Sequence, residues 1–190
     1  MHRNTRGRSP RARLAACAAA ALLGLAGSVA LPAATAHATP VDITCLTGTR
    51  NTVYTPPLTY TPGPTSLQIT DHFSCVSLLS GVSSGSGSHT VNLPSTSCLA
   101  SVQSPLSSNT ATYHWNNGTS STIFFASSTA VRAVDGTVTV TSIGAVTSGL
   151  GLGQTATRVT VEPNLNLTAC LTGGLSETNS VLNTLIIAPV

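Results

Sequence analysis

The stretch Ala130-Val131-Arg132-Ala133-Val134-Asp135-Gly136-Thr137-Val138-Thr139-Val140-Thr141 decides the fold class. Asp-Gly between two alternating β-branched runs signals a two-residue hairpin turn, because both central positions take positive φ. With Val134 opposite Thr137, Ala133 faces Val138 and Val131 faces Val140 on one apolar face. Arg132 and Thr139 then fall on the wet face. Such alternation encodes an antiparallel sheet with one side buried.

Working outward, Thr110 to Phe125 reads as a second hairpin around Asn116-Asn117-Gly118. A three-residue loop with a bulge at Gly118 is preferred, since it places Ala111, Tyr113 and Trp115 beside Ile123 and Phe125. Further strands are expected at Val41 to Leu46, Ser66 to Thr70, His72 to Leu79, His89 to Leu93, Cys98 to Val102, Thr157 to Glu162 and Val181 to Ile187. Thr55 to Pro64 holds four prolines and reads as an extended edge or crossover. Ser80 to Ser88 reads as a Ser/Gly surface loop. No stretch shows a capped 3.6-residue period, so essentially no helix is expected. The expected fold is all-β: one antiparallel β-sandwich, Ig-like or a related Greek key, of nine or ten short strands, with a β-barrel as the alternative.

Residues 1–38 read as a secretory signal peptide, with five arginines, an apolar run from Leu14 to Leu31 and Ala36-His37-Ala38 at the exit. Residues 39–190 are then the secreted domain. It retains Arg50, Arg132 and Arg158 against Asp42, Asp71, Asp135, Glu162 and Glu177, so the basic balance of the whole chain becomes a net charge of −2. Three cations cannot neutralise a run of phosphates, which excludes nucleic acid as a partner. After cleavage no membrane insertion is expected, and the location is extracellular, free or held at the envelope. Cys45, Cys75, Cys98 and Cys170 remain, an even number in an exported chain, and read as two disulfides. Of three pairings, Cys45 with Cys75 and Cys98 with Cys170 is favoured. No Cys-x-x-Cys knuckle supports zinc.

Candidate chemistry is thin. Gly81-Val82-Ser83-Ser84-Gly85 matches a nucleophile elbow only formally, because no helix follows it. His72, His89 and His114 with Asp71 or Asp135 supply the residue types of a triad, but solvent-facing strand histidines are the simpler reading. Asp71 and His72, being adjacent on a strand, point to opposite faces. Asp42, Asp71, Glu162 and Glu177 leave few pairs for glycoside hydrolysis. Gly149-Leu150-Gly151-Leu152-Gly153 is loop glycine without dinucleotide spacing. Tyr113 and Trp115 alternate on one strand; core is the preferred reading, and an exposed binding surface for protein or glycan is the other. Asn117-Gly118-Thr119 and Asn166-Leu167-Thr168 match the glycan acceptor pattern. Thr44-Cys45-Leu46-Thr47-Gly48 recurs as Ala169-Cys170-Leu171-Thr172-Gly173, read as two strand ends built alike.

The stretch from Trp115 to Thr122, then Gly144 to Leu150 with Gly153-Gln154-Thr155-Ala156, then Leu165 to Leu175, resembles small secreted four-cysteine proteins of high-GC Gram-positive bacteria. The resemblance implies a compact β domain and brings no catalytic residue. Asn117 and Gln154 stand where similar sequences are expected to carry Asp, so a cation site held by those acids would be lost here. These readings together point to a non-catalytic extracellular binding or envelope-associated module without a cofactor or a metal, whose partner would be an extracellular protein or glycan. The alternatives are a protease inhibitor presenting Thr55 to Pro64 and a small hydrolase using a histidine with Asp71 or Asp135.

Overall fold

A computed structural model describes residues 41–100 and 108–189. The expected signal segment lies outside the described residues, as do residues 101 and 102 of the strand expected at Cys98 to Val102; Cys98 to Ala100 form a turn and not a strand. Among the described residues the strands are β1 (Ile43–Leu58), β2 (Gly63–Val76), β3 (Ser84–Thr96), β4 (Asn109–Trp115), β5 (Ser120–Arg132), β6 (Val138–Gly149), β7 (Thr155–Glu162), β8 (Leu175–Asn179) and β9 (Leu182–Ala188), with one helix, α1 (Leu167–Thr172).

All pairings are antiparallel, and they run β2-β3-β4-β5-β6-β7-β9-β1 before closing from β1 back to β2. The molecule is therefore a closed barrel and not the expected sandwich. The correction lies in β1, which is long enough to pair on both edges: Thr44 to Thr55 ladder with β2, while Ile43 to Cys45 ladder with β9. β8 and β9 follow one register along β1, from Asn51↔Asn179 to Cys45↔Leu185, and together make the eighth stave. Closure removes the free edges that two short sheets would expose.

The two hairpin turns are the same device. Gly118 N–H donates to Trp115 O and Trp115 N–H to Thr119 O; Gly136 N–H donates to Ala133 O and Ala133 N–H to Thr137 O. Gly118 and Gly136 take φ of 81° and 89°. Each is a three-residue loop ending in a glycine bulge. In each, an Asx side chain before the glycine accepts from the backbone and hydroxyl of the following threonine, Asn117 from Thr119 and Asp135 from Thr137. The expected pairing of the first hairpin, Ala111 beside Ile123, is present. The expected register of the second is shifted by one: Arg132 pairs with Val138 and Ala130 with Val140, because Asp135-Gly136 sits in a bulged loop instead of a two-residue turn.

Ser84 to Ser88 belongs to β3, not to a loop. Its glycines point inward under aromatic rings: a Cβ on Gly85 would overlap the Trp115 ring, and one on Gly87 would lie 2.5 Å from Thr112 O and 2.7 Å from the Tyr113 ring. Ser/Gly alternation here is strand alternation with the inward side chain left out. Thr55 to Pro64 is likewise absorbed into β1 and β2, apart from residues 59–62. The short helix is a second departure. Asn166 caps it, its Oδ1 accepting from Ala169 N–H, so Cys170-Leu171-Thr172 is helical with Gly173 as its C-cap, whereas Cys45-Leu46-Thr47-Gly48 is strand.

Cys45 bonds Cys75 and Cys98 bonds Cys170. The first disulfide crosses β1 and β2 at an apolar end of the barrel filled by Ile43, Phe73, Trp115, Ile123, Phe125, Val146, Leu185 and Ile187. The second ties the segment after β3 to α1, in a separate cluster with Leu58 and Leu175.

Candidate functional site

The candidate site is the middle of the barrel, and it arises from strands whose alternation is inverted. In β7 the sequence Thr155-Ala156-Thr157-Arg158-Val159-Thr160-Val161-Glu162 would bury Val159 and Val161 if apolar residues pointed inward. Instead Arg158 and Thr160 are 1 % exposed and the valines are half-buried on the other side. β1 does the same with Arg50 and Thr52 inside and Val53 outside. Polar residues then meet as register partners across the ladder: Arg50 with Asp71, Thr160 with Asn183, Ser128 with Ser142.

Asp71 is the hub. Arg50 grips it side-on, Nε to Oδ1 at 2.7 Å and Nη2 to Oδ2 at 3.0 Å. Tyr113 Oη donates to Oδ2 at 3.0 Å and Asn183 Nδ2 to Oδ1 at 2.8 Å, while Thr160 Oγ1 donates to Asn183 Oδ1 at 3.0 Å. Burial pushes the Asp71 carboxyl up, but the Arg50 charge and its two hydrogen bonds outweigh it, so the pKa lies below the ordinary carboxylate value. Tyr113, pushed up to about 12 mainly by burial, stays protonated as a donor.

Arg158 is differently placed. Nη1 donates to Tyr113 Oη at 2.9 Å, the guanidinium lies 4.2 Å over the Phe125 ring, and Asp71 Oδ2 is 4.0 Å away. Nε and Nη2 have no partner. Other buried polar atoms of the barrel are in the same condition: both ring nitrogens of His89, Asn109 Oδ1 and Glu162 Oε2. Asn109 is the register partner of Phe125, the ring beneath Arg158. His89 is held neutral, its pKa lowered to about 4 by burial first and the Arg158 charge second. Glu162 is raised by burial. An unsatisfied buried donor or acceptor costs about 1–3 kcal/mol, so such a set is not a neutral feature of a folded core.

The wall beside this set is thin. β3 and β4 ladder only at Gly85↔Trp115 and Ser86↔His114. Beyond them, among the described residues, Ser88 to Thr96 and Asn109 to Ala111 have no partner in each other, and His89 and Asn109 flank that seam.

Of the expected site residues, Tyr113 and Trp115 are brought together but not as an exposed surface. They are 0 % and 4 % exposed, and Trp115 Nε1 donates to Ser121 Oγ. Inward alternation on β4 buries both. His72 and His114 are solvent-facing, in one outer row with Ser86 between them, while His89 faces inward. Asp71 serves no histidine, and all four of its hydrogen bonds come from Arg50, Tyr113 and Asn183. Asp135 and Asn117 are turn residues. Ser83 is exposed and its N–H donates to Asn116 Oδ1. Gln154 holds the backbone of Val41 by two hydrogen bonds. Among the described residues no cluster of His, Cys, Asp and Glu could hold a metal, and no helix is long and apolar enough to cross a membrane.

The residues that sequence reasoning missed are Arg50, Arg158 and Asn183, treated there as surface charge or not at all. The available signal was the charge itself: in a domain with three cations, two lie in the middle of strands. No protein-family model matches the chain, and no curated protein or solved structure matches it either.

Proposed function

We propose that this domain is a non-catalytic binding module working outside the cytoplasm, which takes a small polar ligand into the middle of its barrel. The observation that carries the reading is Arg158: a guanidinium 1 % exposed, with two of its nitrogens unpartnered, in a barrel that holds further buried polar atoms without partners. Natural cores satisfy such groups, and departures from that rule and from apolar-in patterning concentrate at functional sites. Interiors of eight-stranded barrels are wide enough for side chains alone or for one small ligand. The disulfides are compatible with an oxidising compartment. Catalysis is disfavoured because Asp71, the one carboxylate deep in the network, has its oxygens fully engaged by Arg50, Tyr113 and Asn183.

The test is native mass spectrometry of the protein recovered from culture medium of its own host. A discrete small-molecule mass, retained natively and lost on unfolding, is expected. A natively measured mass equal to the disulfide-bonded chain, together with no thermal stabilisation by a low-molecular-weight extract of that medium, refutes the reading.

A further inference from the structure

Resting on that reading, we infer that the ligand is a small carboxylate that also carries a hydroxyl group, with Arg158 as the residue that reads its carboxylate. The barrel contains its own precedent for the chemistry. Arg50 uses Nε and Nη2, the two parallel donors of its side-on edge, to hold both oxygens of Asp71. Arg158 leaves the same two nitrogens empty, with Nη1 occupied by Tyr113. A planar group with two oxygens fits that edge as the Asp71 carboxylate fits the other. The guanidinium lies 4.2 Å over the Phe125 ring and its nearest carboxylate oxygen, Asp71 Oδ2, is 4.0 Å away and already held by Arg50, so burial favours a further anion at the open edge.

The remaining atoms define the rest of the molecule. Asn109 Oδ1 can only accept, so the ligand must offer it a donor. Neutral His89 has one ring nitrogen to give a hydrogen and one to receive. A hydroxyl serves either group, whereas a bare fatty acid would leave both unpaired. An oxyanion without a hydroxyl or apolar carbon, such as sulfate, would satisfy Arg158 alone.

The test is a titration of ¹⁵N-labelled full-length mature protein, after unfolding and refolding to remove bound molecules, followed through the arginine Nε–H signals. The probes are sodium lactate, glycerate and gluconate, with propionate, glycerol, sodium phosphate and sodium sulfate for comparison. The hydroxycarboxylates should shift the Arg158 signal saturably while those of Arg50 and Arg132 stay. Propionate should bind about tenfold or more weaker, for the lost hydroxyl contacts. Arg158→Lys, which keeps the charge and loses the fork, should weaken hydroxycarboxylate binding about tenfold or more; if it does not fold, the wild-type comparison among the three arginines decides. Movement of the Arg158 signal by phosphate, sulfate or glycerol but by no carboxylate overturns the ligand class and leaves the interior site standing. No movement with any probe well above millimolar concentration overturns both.

Discussion

Replacing Arg50 and Arg158 separately by methionine separates a structural guanidinium from one kept for a ligand. Arg50→Met leaves Asp71 ionised and 0 % exposed, with Tyr113, Asn183 and a guanidinium 4.0 Å away. Breaking a buried pair in this way costs about 3–5 kcal/mol. Arg158→Met removes a charged hydrogen bond to Tyr113, worth about 1.5–3 kcal/mol, and the stack on Phe125, worth about 2 kcal/mol. It orphans nothing, since Tyr113 Oη keeps Asp71 as acceptor. It also abolishes two buried donors without acceptors, at about 1–3 kcal/mol each, and the several kcal/mol of burying an ion. The 4.0 Å ion pair to Asp71 is lost as well, so the opposing terms leave the balance near neutral. The assay is urea unfolding of ligand-free protein at pH 7 with disulfides intact, followed by Trp115 fluorescence. The two variants should differ by at least about 3 kcal/mol, with Arg50→Met the weaker. Equal destabilisation would refute the reasoning, because Arg158 would then be a structural cation like Arg50.

Acid should destabilise the domain through His89. Its folded pKa of about 4 lies below the unfolded value of 6.5, so the unfolded chain binds the extra proton between them, and stability falls as pH drops through that window. The loss should reach about 3 kcal/mol by pH 4, and His89→Gln should remove that share of the slope in urea midpoints measured against pH. Gly87→Ser should lower stability by about 1–3 kcal/mol, because its Cβ would press on Thr112 O and the Tyr113 ring. Gly63→Ser, with nothing within 4 Å, should stay within about 0.5 kcal/mol, both measured by urea unfolding. Removing Cys98 and Cys170 together should cost up to about 4 kcal/mol, from a 72-residue separation, against slightly less for Cys45 and Cys75 at 30, by denaturant unfolding.

The all-β class, the presence of two disulfides and the bulged hairpin at Asn116-Asn117-Gly118 were legible because each rests on local chemistry: turn residues, alternation and cysteine count; the count alone left three pairings open. Closure was not, since it depends on β1 pairing at both edges, with β2 on one and with β9 and then β8 on the other, a property of length and partners that alternation alone does not carry. Asn117-Gly118-Thr119 and Asp135-Gly136-Thr137 are one loop type. The shared threonine after Asx-Gly was the clue that would have set both registers alike. β3 hid because its inward positions are glycines making room for Tyr113 and Trp115, which deletes the hydrophobic half of the pattern. The candidate site hid for the opposite reason. Reading apolar residues inward sends Arg50 and Arg158 to the surface, and the barrel turns those strands over. A pattern rule broken by a buried arginine with empty donors is the mark by which the site is found.

The central claim, that the middle of the barrel is built around a ligand, is tested most directly by a crystal structure of the protein as purified from culture medium, at a resolution that shows ordered water. The expected result is a bound organic molecule with two oxygens within hydrogen-bond distance of Arg158 Nε and Nη2, and a polar group reaching Asn109 or His89. Finding those nitrogens satisfied by protein groups or by water alone would contradict it.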